Sequence, residues 1–98
     1  MQYVSNFEFF GLMKKLVRDM QNEFEIRKLS GQEFDDKYNI FIKKLDGKCA
    51  AHSKDSLLGK SEFVLQYMNE VRLTSSFPQK DRFEKVLDIT DMYIKRSV

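Results

Sequence analysis

The chain contains few of the residues that form tight turns, disulfides and metal sites. Its 98 residues include four glycines, one proline, one cysteine and no tryptophan. So few glycines and prolines argue against a many-stranded sandwich or barrel, which needs frequent turns. A single cysteine, Cys49, excludes an intramolecular disulfide and gives no support for an oxidising compartment. We expect Cys49 to behave as a small, buried or half-buried apolar residue.

Long apolar runs are also missing. No stretch approaches the about 20 apolar residues that a membrane-spanning helix needs, and the N-terminus lacks the basic-then-apolar order of a signal peptide. We therefore expect a cytosolic protein without membrane contact. The formal net charge is only +2. This gives little indication of nucleic-acid binding, because such proteins usually cluster a positive excess on one face.

The residues that are present indicate a globular protein without catalytic motifs. Hydrophobic residues make up 42%, charged residues 33% and aromatic residues 13% of the chain, which fits one domain over residues 1–98 with a ring-rich core. Cys49 and His52 offer two metal ligands where a site needs three or four, and there is no glycine-rich phosphate loop. We expect His52 to be exposed or capping. No catalytic residue, metal, cofactor or enzyme activity is predicted.

Apolar residues recur at steps of three and four, which predicts four amphipathic helices. The first helix begins after an N-cap at Ser5 or Asn6, and Gly47 is a natural stop for the second. The 48–54 segment reads as a loop or as one helical turn, and Ser61 is an alternative start for the third helix. Short links favour an all-α, four-helix antiparallel bundle. The predicted helices cover about residues 6–28, 31–45, 56–74 and 78–95.

The link between the first two helices carries a capping box, Leu29-Ser30-Gly31-Gln32-Glu33-Phe34. The Ser30 side chain is expected to accept a hydrogen bond from the Glu33 N–H, and the Glu33 carboxylate one from the Ser30 N–H. Leu29 and Phe34 stand where a hydrophobic staple would form. Ser30 and Glu33 are therefore predicted structural caps, and we expect Ser30→Ala to cost about 1 kcal/mol of stability.

Acidic residues are concentrated around this link. Two basic residues, Arg27 and Lys28, accompany them. Because the end of one helix adjoins the start of the next in a hairpin, these acids can form one patch that attracts a basic partner. An ordinary solvated face is the alternative interpretation. The six acids are Asp19, Glu23, Glu25, Glu33, Asp35 and Asp36.

Two other surface features allow different interpretations. Basic residues on the first and fourth helices could bind phosphates, but interleaved acids on the fourth helix would dilute their field. Several aromatic residues fall outside the apolar stripes, and they belong either to an interface or to a wide buried face. The bases are Lys14, Lys15, Arg18, Lys80, Arg82, Lys85, Lys95 and Arg96. The aromatics are Tyr3, Phe7, Phe63, Tyr67 and Phe77.

The run formed by Leu16-Val17, Phe24, the capping-box hexapeptide and Tyr38 resembles the helical-hairpin signature of colicin D-type immunity proteins. Related immunity proteins also serve contact-dependent growth inhibition systems. The likeness covers about a third of the chain. It implies a small four-helix protein that binds and blocks a cognate nuclease toxin, an RNase acting on tRNA.

The resemblance also implies a mechanism, in which inhibitor carboxylates occupy the phosphate-binding cleft of the toxin. It points to Asp35 and Asp36 as contacts, with Glu33 as a cap. The acidic-patch argument adds Glu23, Glu25 and Asp19 as partner-binding residues. Family members are often more acidic than this chain. The alternative function is that of a small helical regulator or adaptor that binds another protein or nucleic acid.

Overall fold

The computed structural model describes residues 4–55 and 61–98. These residues form four α-helices and one 3₁₀ turn, which confirms the predicted all-α four-helix bundle. The expected start of the third helix near residue 56 lies outside the described residues, and so does Tyr3. The helices are α1 (Asn6–Arg27), α2 (Gly31–Asp55), α3 (Ser61–Leu73) and α4 (Gln79–Arg96), with the 3₁₀ turn at Thr74–Ser76.

Neighbouring helices run antiparallel. Lys14 in the first half of α1 forms an ion pair of 2.7 Å with Asp91 near the end of α4. Phe24 near the end of α1 packs against Phe83 near the start of α4, with ring centroids 5.1 Å apart. Contacts of the same reversed order join the other neighbours: Asn6 with His52, Phe24 with Phe34, Tyr38 with Thr74, Asp46 with Arg72, and Tyr67 with Thr90.

Two groups of aromatic rings fill the core. Phe10 is the centre of one group and Phe83 of the other, and both rings are buried. The rings meet mainly edge to face or tilted, the geometries that the ring quadrupole favours. All four helices therefore share one ring-rich core. Phe10 contacts Phe9, Phe63, Tyr67 and Tyr93; Phe83 contacts Phe24, Phe34, Tyr38 and Phe41.

Two of the three buried tyrosines among the described residues, Tyr38 and Tyr67, donate their hydroxyl groups to buried threonines. Thr90 donates its hydroxyl proton to the Val86 carbonyl at 2.7 Å, so its oxygen is left to accept from the Tyr67 hydroxyl at 2.9 Å. Thr74 likewise accepts from Tyr38 at 2.6 Å while it donates to Val71. Because both hydroxyls find partners, the rings can be buried without an unsatisfied polar group.

The aromatic residues outside the predicted stripes divide between core and surface. Tyr67 is buried and Phe63 packs against the core, so the wide-buried-face interpretation holds for this pair. Phe7 and Phe77 are exposed.

The second helix is longer than predicted, because α2 passes through Gly47 and ends at Asp55. The expectation that Gly47 stops the helix was wrong. Cys49 continues the apolar stripe four residues beyond Leu45 and is only 1% exposed, which confirms its apolar role. Burial of Cys49 in these added turns outweighs the helix penalty of one glycine, about 1 kcal/mol. The 48–54 segment is therefore helical.

The link between α1 and α2 is closed by a Schellman motif in place of the predicted capping box. Lys28 adopts a left-handed φ of 54° and its N–H donates to the Glu25 carbonyl, while the Leu29 N–H donates to the Phe24 carbonyl at 3.3 Å. These bonds satisfy the last carbonyls of α1.

The prediction of a capping box between Ser30 and Glu33 was wrong. Among the hydrogen bonds of the described residues, neither side chain makes the predicted bond. Gly31, which follows Ser30, has a φ of 60°, a backbone conformation that glycine adopts readily. A capping box needs helical residues directly after the cap. The positive φ therefore removes the geometry that would bring the Glu33 N–H to Ser30.

The N-cap of α1 is present. Ser5 accepts a hydrogen bond from the Glu8 N–H at 3.2 Å, as predicted. We expect Ser5→Ala to lower the free energy of unfolding by about 1 kcal/mol. Ser30→Ala should change it by less than about 0.5 kcal/mol, because no cap is lost. Urea denaturation of the two variants measures both values. A larger loss for Ser30→Ala would contradict the assigned link geometry.

Candidate functional site

Cys49 and His52 have the side chains best suited to chemistry, but both have a structural role in the packing of the bundle. Burial and the nearby Asp46 carboxylate raise the pKa of Cys49 to about 12, so its thiol stays protonated near neutral pH. The His52 ring stacks on Phe9 at 4.1 Å and its Nε2 lies 3.0 Å from Asn6 Oδ1. His52 is therefore half-buried against α1, which corrects the expectation of an exposed or capping histidine.

Within residues 4–55 and 61–98, no three His, Cys, Asp or Glu side chains are placed so that they could hold a metal ion. In the same part of the chain, no helix combines the length and the apolar character that crossing a membrane requires.

Asp35, a predicted partner contact, links α2 to α4. Its Oδ1 accepts hydrogen bonds from Arg82 Nη1 at 2.8 Å and Gln79 Nε2 at 3.0 Å. The Arg82 guanidinium also lies 5.2 Å from the Tyr38 ring centroid, in cation–π range. Asp35 therefore has a structural role in the link between α2 and α4, and its role as a partner contact stays a prediction.

The other predicted acids do not form one patch, because they lie on two sides of α1. Glu23 lines a cleft with Lys37 and Ile40 of α2, and its carboxylate pairs with Arg27 at 3.0 Å. Glu25 lines a different cleft, on the side of α4. The expected single patch is thus divided between the two flanks of the hairpin turn.

Four of the six predicted acids keep accessible carboxylates. Asp19, Glu25, Glu33 and Asp36 are exposed, and none forms an ion pair with a described residue. Asp36 accepts one hydrogen bond from Gln32 at 2.8 Å, on the surface. We define the acidic end of the hairpin by the carboxylates of Glu23, Glu25 and Asp36. Glu25 and Asp36 have no ion pair with a described residue, whereas Glu23 is paired with Arg27.

Three exposed apolar residues lie on the same two helices, α1 and α2, as these acids. The sequence analysis did not predict them as part of a binding surface. Ile26 is 81%, Ile40 64% and Leu12 57% exposed. The signal was present, since all three fall outside the buried stripes of their helices. Ile26 follows Glu25 directly, and Ile40 stands one helical turn after Asp36. Apolar side chains within a polar rim are the usual pattern of a protein interface.

An open groove runs between α1 and α2, which contact each other less than the other neighbouring helices do. Its larger section has a volume of about 410 Å³ and a mainly apolar lining. Because α1 packs chiefly on α4 and α2 on α3, this seam is the least filled part of the described bundle. The lining residues are Val4, Phe9, Leu12, Met13, Lys15, Leu16, Asp19, Lys48, Ala51 and His52.

Several bases considered for phosphate binding are engaged within the bundle. Arg82 binds Asp35, as described above. Lys85 lies over the Phe77 ring and Arg96 over the Tyr93 ring, at 5.7 and 5.1 Å from the centroids. These contacts distribute the positive charge of α4 over separate internal partners.

Comparison of the chain with protein-family models, with curated proteins and with solved structures finds no match.

The Asp35 link predicts a stability difference between two adjacent acids. Asp35→Asn should lower the free energy of unfolding by about 2 kcal/mol, because it weakens charge-assisted hydrogen bonds between α2 and α4. The matched control Asp36→Asn should change it by less than about 0.5 kcal/mol. Chemical denaturation followed by circular dichroism provides the comparison. An equal loss of unfolding free energy in the two variants would mean that the hydrogen bonds from Arg82 and Gln79 to Asp35 contribute little to stability.

Buried ionisable groups predict a loss of stability in alkali. Burial raises the pKa of Cys49 to about 12 from an ordinary value of 9.0. Burial, followed by the Glu70 carboxylate, also raises the pKa of Tyr93 to about 12. The unfolded chain releases these protons first, so stability is complete below about pH 9 and falls as pH rises towards 12.

Urea denaturation from pH 7 to 11 tests this prediction. Cys49→Ala should show a smaller fall between about pH 9 and 10, because it removes the first group to titrate. A parent protein whose stability stays constant across that interval would contradict the prediction.

Proposed function

We propose that the chain is a bacterial immunity protein, which acts in the cytoplasm by binding a cognate nuclease toxin and occluding its active site. The toxin class is the one implied by the hairpin resemblance, an RNase acting on tRNA, delivered as a bacteriocin or by contact-dependent growth inhibition. The observation that carries the proposal is the acidic end of the hairpin, where accessible carboxylates accompany exposed isoleucines.

The charge of this end fits the proposed target. A nuclease binds its substrate through Lys, Arg and His side chains that contact phosphates. Carboxylates can form short, charge-assisted hydrogen bonds with the same groups. Glu25 and Asp36 form no ion pair with a described residue, so they can engage a basic cleft without breaking an internal ion pair.

The exposed isoleucines supply the apolar part of such an interface. Ile26 is 81% exposed beside Glu25. Full burial of an isoleucine side chain in a complex contributes about 1.5–3 kcal/mol, and exclusion of water strengthens the neighbouring charge pairs. Ile26 and the neighbouring carboxylates thus supply an apolar contact and polar groups, the two parts that a protein interface combines.

The contact set implied by the resemblance changes in one respect. Asp35 is bound by Arg82 and Gln79, so replacing it would disturb the bundle as well as any interface. We therefore assign partner binding to Glu25, Asp36 and Ile26, with Asp19 and Glu23 earlier in α1. This set allows binding to be tested without destabilising the α2–α4 link.

Co-expression with the toxic domain encoded beside this gene tests the proposal. We expect the parent protein to restore growth and preserve tRNA in cells that express the domain. Glu25→Lys with Asp36→Lys should abolish protection and weaken binding by about 100-fold or more, since two charge pairs become repulsive. Isothermal titration calorimetry with an inactive toxin domain measures the affinity.

The matched control is Glu84→Lys with Asp88→Lys, which makes the same charge change on two exposed positions of α4. It should protect as well as the parent. Failure of the parent to protect against any toxic domain encoded nearby would overturn the immunity function. Full protection by the variant Glu25→Lys with Asp36→Lys would mean that the toxin binds another surface. Salt-dependent binding of the parent protein to bulk RNA or DNA would favour the alternative function of a regulator.

A further inference from the structure

The face formed by α1 and α2 carries opposite charges at its two ends. At the acidic end, this face carries Glu23 and Asp36, whereas Glu25 lies on the α4 side of α1. At the other end, the 14–18 segment of α1 and the 43–54 segment of α2 together contain seven basic residues and one acidic residue. We call this the basic end. Of its lysines, Lys15 and Lys48 line the groove, and Lys44 stands one turn before Lys48 on the same side of α2.

Of the seven bases at the basic end, Lys14 alone forms an ion pair with a described residue, Asp91 of α4. Lys15, Lys44 and Lys48 form no ion pair with a described residue. Its one acidic residue, Asp46, is occupied by Arg72 of α3. The face is thus a strip with mostly unpaired bases at one end and acids at the other, where Asp36 has no ion pair with a described residue and Glu23 is paired with Arg27. The apolar groove runs along the strip.

Such a strip is complementary to itself when one copy is turned end over end. We infer that the α1–α2 face binds the same face of a second copy through a two-fold axis across the helices. This operator sets α1 antiparallel to α1 and α2 antiparallel to α2, and each basic end then meets an acidic end. A two-fold interface uses one patch on both subunits, as this strip requires.

The spacing of the exposed apolar residues gives the register. Leu12 and Ile26 stand seven residues on either side of Asp19, which puts all three on one side of α1. With the axis at the level of Asp19, Leu12 of one copy meets Ile26 of the other. Lys15 and Glu23, four residues on either side of Asp19, then form the charge pair on α1.

The register on α2 agrees with that on α1. Ile40 lines the same cleft as Met20, so it lies at the level where the axis crosses α1. Ile40 therefore meets its own copy at the centre of the interface. Asp36 and Lys44, four residues on either side of Ile40, meet across the axis as a second charge pair.

The size of the face is sufficient for a dimer. The bundle measures 41 × 23 × 20 Å, so one long side offers an area comparable with the about 800 Å² per partner of a standard interface. Leu12, Ile26 and Ile40 supply the apolar centre that such an interface needs. This inference does not rest on the proposed function, because it concerns the chain alone.

Charge exchange tests the dimer, using the full chain without any toxin. Sedimentation velocity over a wide concentration range should show a monomer–dimer equilibrium that weakens as salt increases. The acid-end variant is Glu23→Lys with Asp36→Lys, and the base-end variant is Lys44→Glu with Lys48→Glu. Each alone should raise the dimer Kd by at least about tenfold, because like charges then face each other.

An equimolar mixture of the two variants should restore dimerisation, because each reversed end now faces a reversed end of the other copy. Glu84→Lys with Asp88→Lys should leave the Kd unchanged. Asp19→Asn should tighten the dimer by removing a like-charge contact at the axis. Circular dichroism checks that every variant is folded.

Three outcomes would overturn the inference. One is a parent protein that stays monomeric at all concentrations, and another is a dimer that neither charge variant weakens. The third is a mixture of folded charge variants that fails to associate. Loss of toxin protection leaves these measurements unaffected, so failure of the proposed function and failure of the dimer are distinguishable.

Discussion

The packing of Phe83 is the contact on which the rest of the bundle depends. Its ring meets Phe24 of α1 and the Phe34, Tyr38 and Phe41 rings of α2. α4 is thereby held against both halves of the hairpin, although α1 and α2 touch each other little. Arg82, the residue before Phe83, extends the same contact to Asp35 at the surface. Ring packing and the ion pair therefore fix the hairpin from the side of α4 and leave its opposite face open.

Much of the fold could be predicted because apolar spacing is a local property of the sequence. The stripe of α1 and the serine at its N-cap required only three- and four-residue steps. Gly47 was wrongly predicted to end α2, because the free-energy penalty of a glycine in a helix is smaller than the stabilisation from burying Cys49 in the core. Ser30 and Glu33 have the spacing of a capping box, but they do not form one because Gly31 between them has a positive φ. The sign of φ at Gly31 depends on how the two helices meet, which local spacing does not encode.

The candidate site was harder to predict for the same reason. The concentration of acids was visible in the sequence, but Asp35 and Asp36 appear equivalent there. Only tertiary packing brings Arg82 to one of them, since the two ends of that contact are far apart in the chain. Similarly, Glu23 and Glu25 are close in sequence, yet helical rotation sends them to opposite flanks of α1. Exposure of Ile26 and Ile40 could have been suspected from their positions outside the apolar stripes.

The two proposed interactions share the acidic end of the hairpin, and this sharing has an energetic consequence. In the dimer, Asp36 faces Lys44 of the second copy; in the toxin complex, it would face a base of the nuclease. Both partners offer the same chemistry to the same carboxylate, so they exclude each other. A toxin must then displace the second copy, and its apparent affinity falls by the fraction of chain that is dimeric. In return, the dimer covers exposed isoleucines that would otherwise favour non-specific association.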